Sequence, residues 1–178
     1  MSDPLQQLEQ CLAGRVCFMG LGNVDYADDG FGVRLAEALI AAGVPDVIVA
    51  GISPDRWIGR VAGFDHIVFL DAVEFGGEPG AVVFLDSAQM AARFPQISTH
   101  KISLGVLAQW AEATGTTKAW LLGVQPESLK PQQQLTPTLQ NALELLCDLL
   151  KTSTDHAGTA ASGCPAEGEL GSKVEVNA

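Results

Sequence analysis

The sequence predicts a three-layer α/β sandwich, with a mostly parallel twisted sheet, one antiparallel strand, and helices on both faces. Three observations predict it. Short apolar runs alternate along the chain with stretches of helical periodicity, the pattern of successive βα units. One run, Ile67–Leu70, is apolar throughout, as a strand covered on both faces requires. The 178 residues are 47% hydrophobic and only 17% charged, which suits one well-filled core.

The elements follow in order. Pro4 to Ala13 reads as a short leading helix. Arg15 to Met19 is an apolar strand stopped by Gly20 and Gly22. Phe31 to Ala42 has apolar residues at helical spacing and ends at Gly43, a common helix stop. Val47 to Ala50 is the second strand, Pro54 to Val61 is helical, and Ile67 to Leu70 is the third strand. Gly76-Gly77-Glu78-Pro79-Gly80 leads into Ala81–Leu85. That connection is too short for a helical crossover, so the pair is expected to be antiparallel, with Ala81–Leu85 near a sheet edge. Leu104 to Glu112 is a helix and Ala119 to Val124 a strand. Thr138 to Leu150 is a final amphipathic helix with Leu139, Leu143, Leu146 and Leu150 on one face. From Thr152 onward the composition shifts to Gly, Ser, Thr, Ala and Glu. Residues 1–151 are therefore expected to form a single α/β domain and 152–178 a disordered tail.

Charge and composition narrow the function. The net charge of −11 repels nucleic acid and anionic membranes, so neither is an expected partner. An acidic surface suits a cation or a basic peptide. No segment is long and apolar enough to span a bilayer, and Met1 to Gly14 lacks the pattern of a signal peptide. A cytoplasmic location is expected. Cys11, Cys17, Cys147 and Cys164 lack CxxC spacing and read as core thiols.

In open α/β sheets, ligands gather beyond the carboxyl ends of the strands. After the first strand comes Gly20-Leu21-Gly22-Asn23-Val24-Asp25-Tyr26-Ala27-Asp28-Asp29-Gly30. After the second come Gly51 to Asp55, after the third Asp71 to Glu74, and after the last Gln125-Pro126-Glu127. Ser98-Thr99-His100-Lys101 forms a separate loop. The glycines of the first loop invite a dinucleotide-binding reading, which fails. Asp25 stands where the third glycine of that fingerprint belongs, and nearby carboxylates would repel a pyrophosphate. No phosphate loop, GxSxG turn or HExxH motif is present.

Two carboxylates, Asp29 and Asp71, and the imidazole of His100 would make a mixed oxygen and nitrogen site for a first-row divalent ion. Each has a plainer alternative. Asp29 could be a helix N-cap, although Asp28 is the better cap if Asp29 faces the cleft. Asp71 could be a turn residue at a strand end, and His100 could be structural. His66 reads as a surface residue. Trp57, Trp110 and Trp120 read as core or groove wall.

At these residues the sequence resembles the hydrogenase maturation endopeptidases. Gly20-Leu21-Gly22-Asn23 followed by Asp28-Asp29-Gly30-Phe31-Gly32-Val33-Arg34 is similar to the family's opening signature. Phe69-Leu70-Asp71-Ala72 resembles its buried strand with a terminal acid, and Ser98 to Leu104 its histidine loop. Leu122 to Glu127 and Leu135-Thr136-Pro137 resemble two late markers. The resemblance runs in order from about Val16 to Leu150.

What the resemblance implies is specific. Residues 1–151 would be a peptidase domain, monomeric when free. The metal ligands would be Asp29, Asp71 and His100, with Asp29 and Asp71 as general-base candidates of an aspartyl-type endopeptidase. Substrate contacts would fall to Asn23, Asp28, Asp55 and Glu127. The substrate would be the large-subunit precursor of a nickel-iron hydrogenase, its C-terminal extension removed while the precursor presents bound nickel. Nickel would thus arrive with the substrate, and other divalent cations could occupy the site. Two departures stand out. Some members carry Glu where this chain has Asp29, and some carry an acid where this chain has Ala50. The alternative from another class is a non-cleaving, nickel-dependent checkpoint or chaperone for the same precursor. A third is a metal-dependent amidase acting on small molecules, which a deep closed pocket would favour.

Overall fold

The computed structural model describes residues 4–94, 102–113 and 115–160. The elements are α1 (Pro4–Leu12), β1 (Val16–Leu21), α2 (Phe31–Ala41), β2 (Val47–Gly51), β3 (His66–Ala72), β4 (Val82–Asp86), α3 (Ser87–Arg93), α4 (Leu104–Ala113), β5 (Lys118–Val124) and α5 (Pro137–Ala160). The five strands form one sheet in the order β2-β1-β3-β5-β4. β1 pairs in parallel with β2 and β3, β3 pairs in parallel with β5, and β4 runs antiparallel to β5.

Alternation along the central strands builds two cores, one on each face. Phe18, Val68, Leu70 and Leu122 point to the face covered by α1, α2 and α5, where they meet Leu35, Leu39, Leu139 and Leu143. Cys17, Met19, Ile67, Phe69 and Leu121 point to the other, where they meet Met90, Leu104, Leu107 and Ala108 of α3 and α4. Because both faces are covered, β3 needs apolar residues at consecutive positions, and Ile67–Leu70 supplies them. Cys11 and Cys17 are buried thiols, and burial pushes both up to about 12, as core positions should.

Four expectations change. The third and fourth strands do run in opposite directions, but they do not pair. β5 lies between them, matched to β3 from His66↔Lys118 to Ala72↔Val124. Parallel pairing sets the apolar runs Ile67–Leu70 and Ala119–Leu122 side by side, while β4, with Val82 45% exposed, tolerates the edge. Pro54–Val61 is two 3-10 turns, Pro54–Arg56 and Ile58–Val61, since a short segment containing Gly59 cannot sustain an α-helix. α3 was not foreseen, although Asp86 and Gln89 form a reciprocal capping box that marks its start. The final helix does not stop at Leu150, because α5 continues to Ala160. Thr152 and Thr154 donate their hydroxyls back to the carbonyls of Asp148 and Leu150, so neither competes against the helix. Residues 161–178 of the expected tail, with Cys164, lie outside the described residues.

Candidate active site

Three glycines bring the first loop down onto the strand ends. A Cβ on Gly20 would stand 2.4 Å from the Gly32 carbonyl oxygen, and one on Gly32 would stand 1.9 Å from the Leu70 carbonyl oxygen. α2 therefore lies against β1 and β3 at a distance no side chain permits. Gly22 has φ +124, and a Cβ there would meet the Asp29 carbonyl oxygen at 1.8 Å. The Gly-x-Gly and Asp-Asp-Gly-Phe-Gly spacing thus reflects close packing and not a phosphate cradle. Its product is a 3-10 turn, Ala27–Gly30, packed on β3 at the carboxyl rim of the sheet.

Asp28 and Asp29 share that turn and have different surroundings. Asp28 is wholly buried. The N–H groups of Glu127 and Ser128 donate to its Oδ2 at 2.9 and 3.0 Å. Thr136 N donates to its Oδ1 at 2.8 Å, and the Thr136 hydroxyl adds a further bond. Asp28 therefore ties the first loop to the segment after β5 and to the start of α5. The expected N-cap role does not hold, and the carboxylate braces the loops instead. No side chain caps the turn or α2, and both Asp28 oxygens are engaged inside the protein.

Asp29 is 3% exposed. Asn23 N donates to its Oδ2 at 3.0 Å. Among the described residues its Oδ1, buried from solvent, makes no hydrogen bond. Asp71, also 3% exposed, sits near the end of β3, in register with Gly123 of β5. The turn bearing Asp29 packs on the strand bearing Asp71, so both acids occupy one rim. His100 lies outside the described residues, as does the rest of Ser98 to Lys101. Among the described residues no group of three metal-ligating side chains occurs.

The remaining candidates lie further out. Asn23 is half-buried and uses its own Oδ1 to accept from Asp25 N. Asp55 and Glu127 are exposed, on the turn after β2 and the loop after β5.

Two positioning residues escaped the sequence reading. Gln125 is buried, and its Oε1 accepts from the N–H groups of Phe75, Gly76 and Gly77 at 2.9, 3.0 and 3.2 Å. It thereby shapes the turn that follows Asp71. Thr136 donates to Asp28 and accepts from Leu139 N, capping α5. Thr136-Pro137, an N-cap followed by proline at the first helical position, was a readable signal for the cap but not for the contact with Asp28.

His66 and Trp110 depart from the expected burial, whereas Trp57 and Trp120 pack on the core as expected. His66 is half-buried, and its Nδ1 accepts from Trp120 Nε1 at 3.0 Å. Desolvation holds its pKa below the ordinary value, against the opposing pull of Asp65. Trp120 stacks on Phe84, and Trp57 packs against the core. Trp110 is 45% exposed.

Relatives of known kind share this architecture. The family model for HycI, hydrogenase maturation protease, matches residues 33–153, a span that takes in Asp71 and His100 and begins just after the Asp29 turn. The Hydrogenase 2 maturation protease of Escherichia coli (strain K12) is 30% identical over 155 residues, covering 83% of this chain and 94% of that protein. The crystal structure of the [NiFe] hydrogenase maturation protease HycI from Thermococcus kodakarensis KOD1 superimposes with a TM-score of 0.73 at 29% identity, over 84% of this chain and 99% of that one. The hydrogenase maturating endopeptidase HybD from E. coli gives 0.69 at 29% identity, over 81% and 94%. The chain belongs to the hydrogenase maturation protease family and is a peptidase.

Proposed function

We propose that this peptidase removes the C-terminal extension from the large-subunit precursor of a nickel-iron hydrogenase, and that it recognises the nickel the precursor carries. The observation that carries the reading is the bare Oδ1 of Asp29. A buried carboxylate oxygen with no donor is costly, and an incoming cation would offset that cost. Asp71 offers a second carboxylate from the same rim, and His100 would supply the nitrogen. Oxygen and imidazole donors suit a first-row divalent ion. These side chains would complete the coordination of an ion already held by the precursor, so a loaded precursor is engaged and an empty one is not.

A divalent ion beside a peptide bond supplies Lewis acidity. The chain's own residues do the rest. The packing of Gly22, Gly30 and Gly32 holds Asp29 rigidly at the strand ends, and the Gln125 turn orders the backbone beyond Asp71. Whichever of Asp29 and Asp71 is free of the ion can accept a proton from the attacking water, as general base. A non-cleaving checkpoint would use the same ligands, and mass separates the two readings, because only a peptidase shortens the precursor.

The test is incubation of purified nickel-loaded and nickel-free precursor with the full chain, followed by mass spectrometry. The loaded precursor is expected to lose its C-terminal peptide and the empty one to stay intact. Equal cleavage of both would defeat nickel recognition, and tight binding without shortening would leave only the checkpoint. Asp29→Asn and His100→Ala are expected to lower the cleavage rate by about 100-fold or more, since even changes outside the ligand sphere cost 10- to 100-fold.

A further inference from the structure

Beside Asp29 lies a pocket of about 240 Å³ lined by Asn23, Tyr26, Asp29 and Leu129. Two of its walls are large apolar side chains kept in solvent, Tyr26 at 45% and Leu129 at 36% exposed. Neither belongs to a core cluster. Both are nevertheless held firmly. Asp28 N donates to Ser128 O at 3.1 Å, while Glu127 N and Ser128 N donate back to the Asp28 carboxylate, lacing Asp28, two residues after Tyr26, to Ser128, the residue before Leu129. Tyr26 forms an isolated parallel bridge with Gln132, and Tyr26 N donates to Asn23 O. The next residue, Ala27, sits at φ +44, a left-handed conformation rare for a residue with a Cβ, and its N–H donates to Gln132 O. Two separate loops are thus bound together so that two apolar side chains face solvent across a gap beside a candidate catalytic acid.

Resting on the peptidase reading above, we propose that this pocket is a specificity subsite. It takes the apolar side chain of a substrate residue adjoining the scissile bond, between the Tyr26 ring and the Leu129 side chain. Part of the pocket's polar lining is already committed. Asn23 N donates to Asp29 Oδ2, and Asn23 Oδ1 accepts from Asp25 N. The remaining Asp29 oxygen faces the ion in the proposed function, and its charge repels an acidic side chain. Beside the Tyr26 hydroxyl and the Asn23 amide nitrogen, what an occupant meets is ring and isobutyl surface, which water covers poorly and an aliphatic side chain covers well.

Tyr26 is the chain's single tyrosine, so incorporated 3-fluorotyrosine gives one ¹⁹F resonance at the pocket wall. The full chain is titrated with capped pentapeptides, glycine throughout except for a central leucine, glutamate or lysine. The leucine peptide is expected to shift the resonance at concentrations at least tenfold below those needed by the other two, and Leu129→Asp to abolish that difference. Equal responses to all three peptides, a stronger response to lysine, or an unaltered preference in Leu129→Asp would overturn the subsite.

A second readout uses nickel-loaded precursor in which each residue flanking the cut is replaced in turn by leucine or aspartate. At one of the two positions kcat/KM is expected to favour leucine at least tenfold, and Leu129→Ala to bring that ratio toward one. An unchanged ratio with intact cleavage would refute the subsite alone. The peptide titration needs neither nickel nor cleavage, so failure of the nickel reading would show separately, as cleavage of the empty precursor.

Discussion

The two rims of the sheet treat charge in opposite ways. At the amino rim, ahead of β1 and β3, polar groups find ordinary partners. Asp65 Oδ2 accepts from Arg15 N at 2.8 Å, the Arg15 guanidinium donates to Gly63 O and lies 5.0 Å from the Phe64 ring centre, and His66 pairs with Trp120. At the carboxyl rim three acids, Asp28, Asp29 and Asp71, are buried together. One of them, Asp28, is saturated by donors from distant loops, while its neighbour Asp29 keeps a bare oxygen. The amino rim needs only to be stable. The carboxyl rim uses one acid to brace the loops and leaves the next with an oxygen that no described donor reaches, the kind of unsatisfied group that a proposed catalytic role would explain.

The comparison breaks most readily at Asp28. Asp28→Ala leaves the N–H groups of Glu127, Ser128 and Thr136 without an acceptor inside the protein. It is expected to cost about 3–5 kcal/mol in urea unfolding, as loss of a buried charged partner does. Asp29→Asn, one position away, is expected to stay within about 1 kcal/mol of the parent, because the removed charge had an oxygen with no donor. Its loss should appear in precursor cleavage instead. Equal destabilisation by the two changes would erase the division of labour drawn here. Thr136→Val removes the α5 cap and a bond to Asp28 together, with an expected loss of about 1–2 kcal/mol.

The smallest effect belongs to the amino rim. Burial lowers the His66 pKa from the ordinary 6.5, so the folded state resists a proton that the unfolded chain accepts. The contribution is present above that ordinary value and is lost as pH falls through it toward the folded pKa. Thermal midpoints measured over this range should decline on acidification, and decline less in His66→Gln. No difference between the two profiles would show that His66 contributes no pH dependence.

Much of this molecule was legible before its coordinates. The strands and the two-faced burial of Ile67–Leu70 follow from periodicities of local origin, and the antiparallel direction of Ala81–Leu85 from the short connection before it. The gathering of acids at the carboxyl rim also followed, because residues ending strands in an open parallel sheet converge there. What escaped had long range in common. The donors on Asp28 stand 99 to 108 residues away, so no local pattern could mark it as a brace rather than a cap. The insertion of β5 between β3 and β4 is a choice between two partners for one edge, and the loop length that set direction was silent on adjacency. Gln125 gave no signal, since its acceptor role depends on where Phe75, Gly76 and Gly77 turn their N–H groups.

By itself, then, the chain determined its elements, the apolar surfaces they bury and the end of the sheet where acidic residues gather, because each depends on neighbours a few residues apart. Tertiary structure alone decided which of two adjacent aspartates is braced and which keeps an oxygen without a donor among the described residues. That choice turns on hydrogen-bond donors delivered by loops a hundred positions later, and on glycines that let α2 settle against the strands closely enough to fix the turn between them.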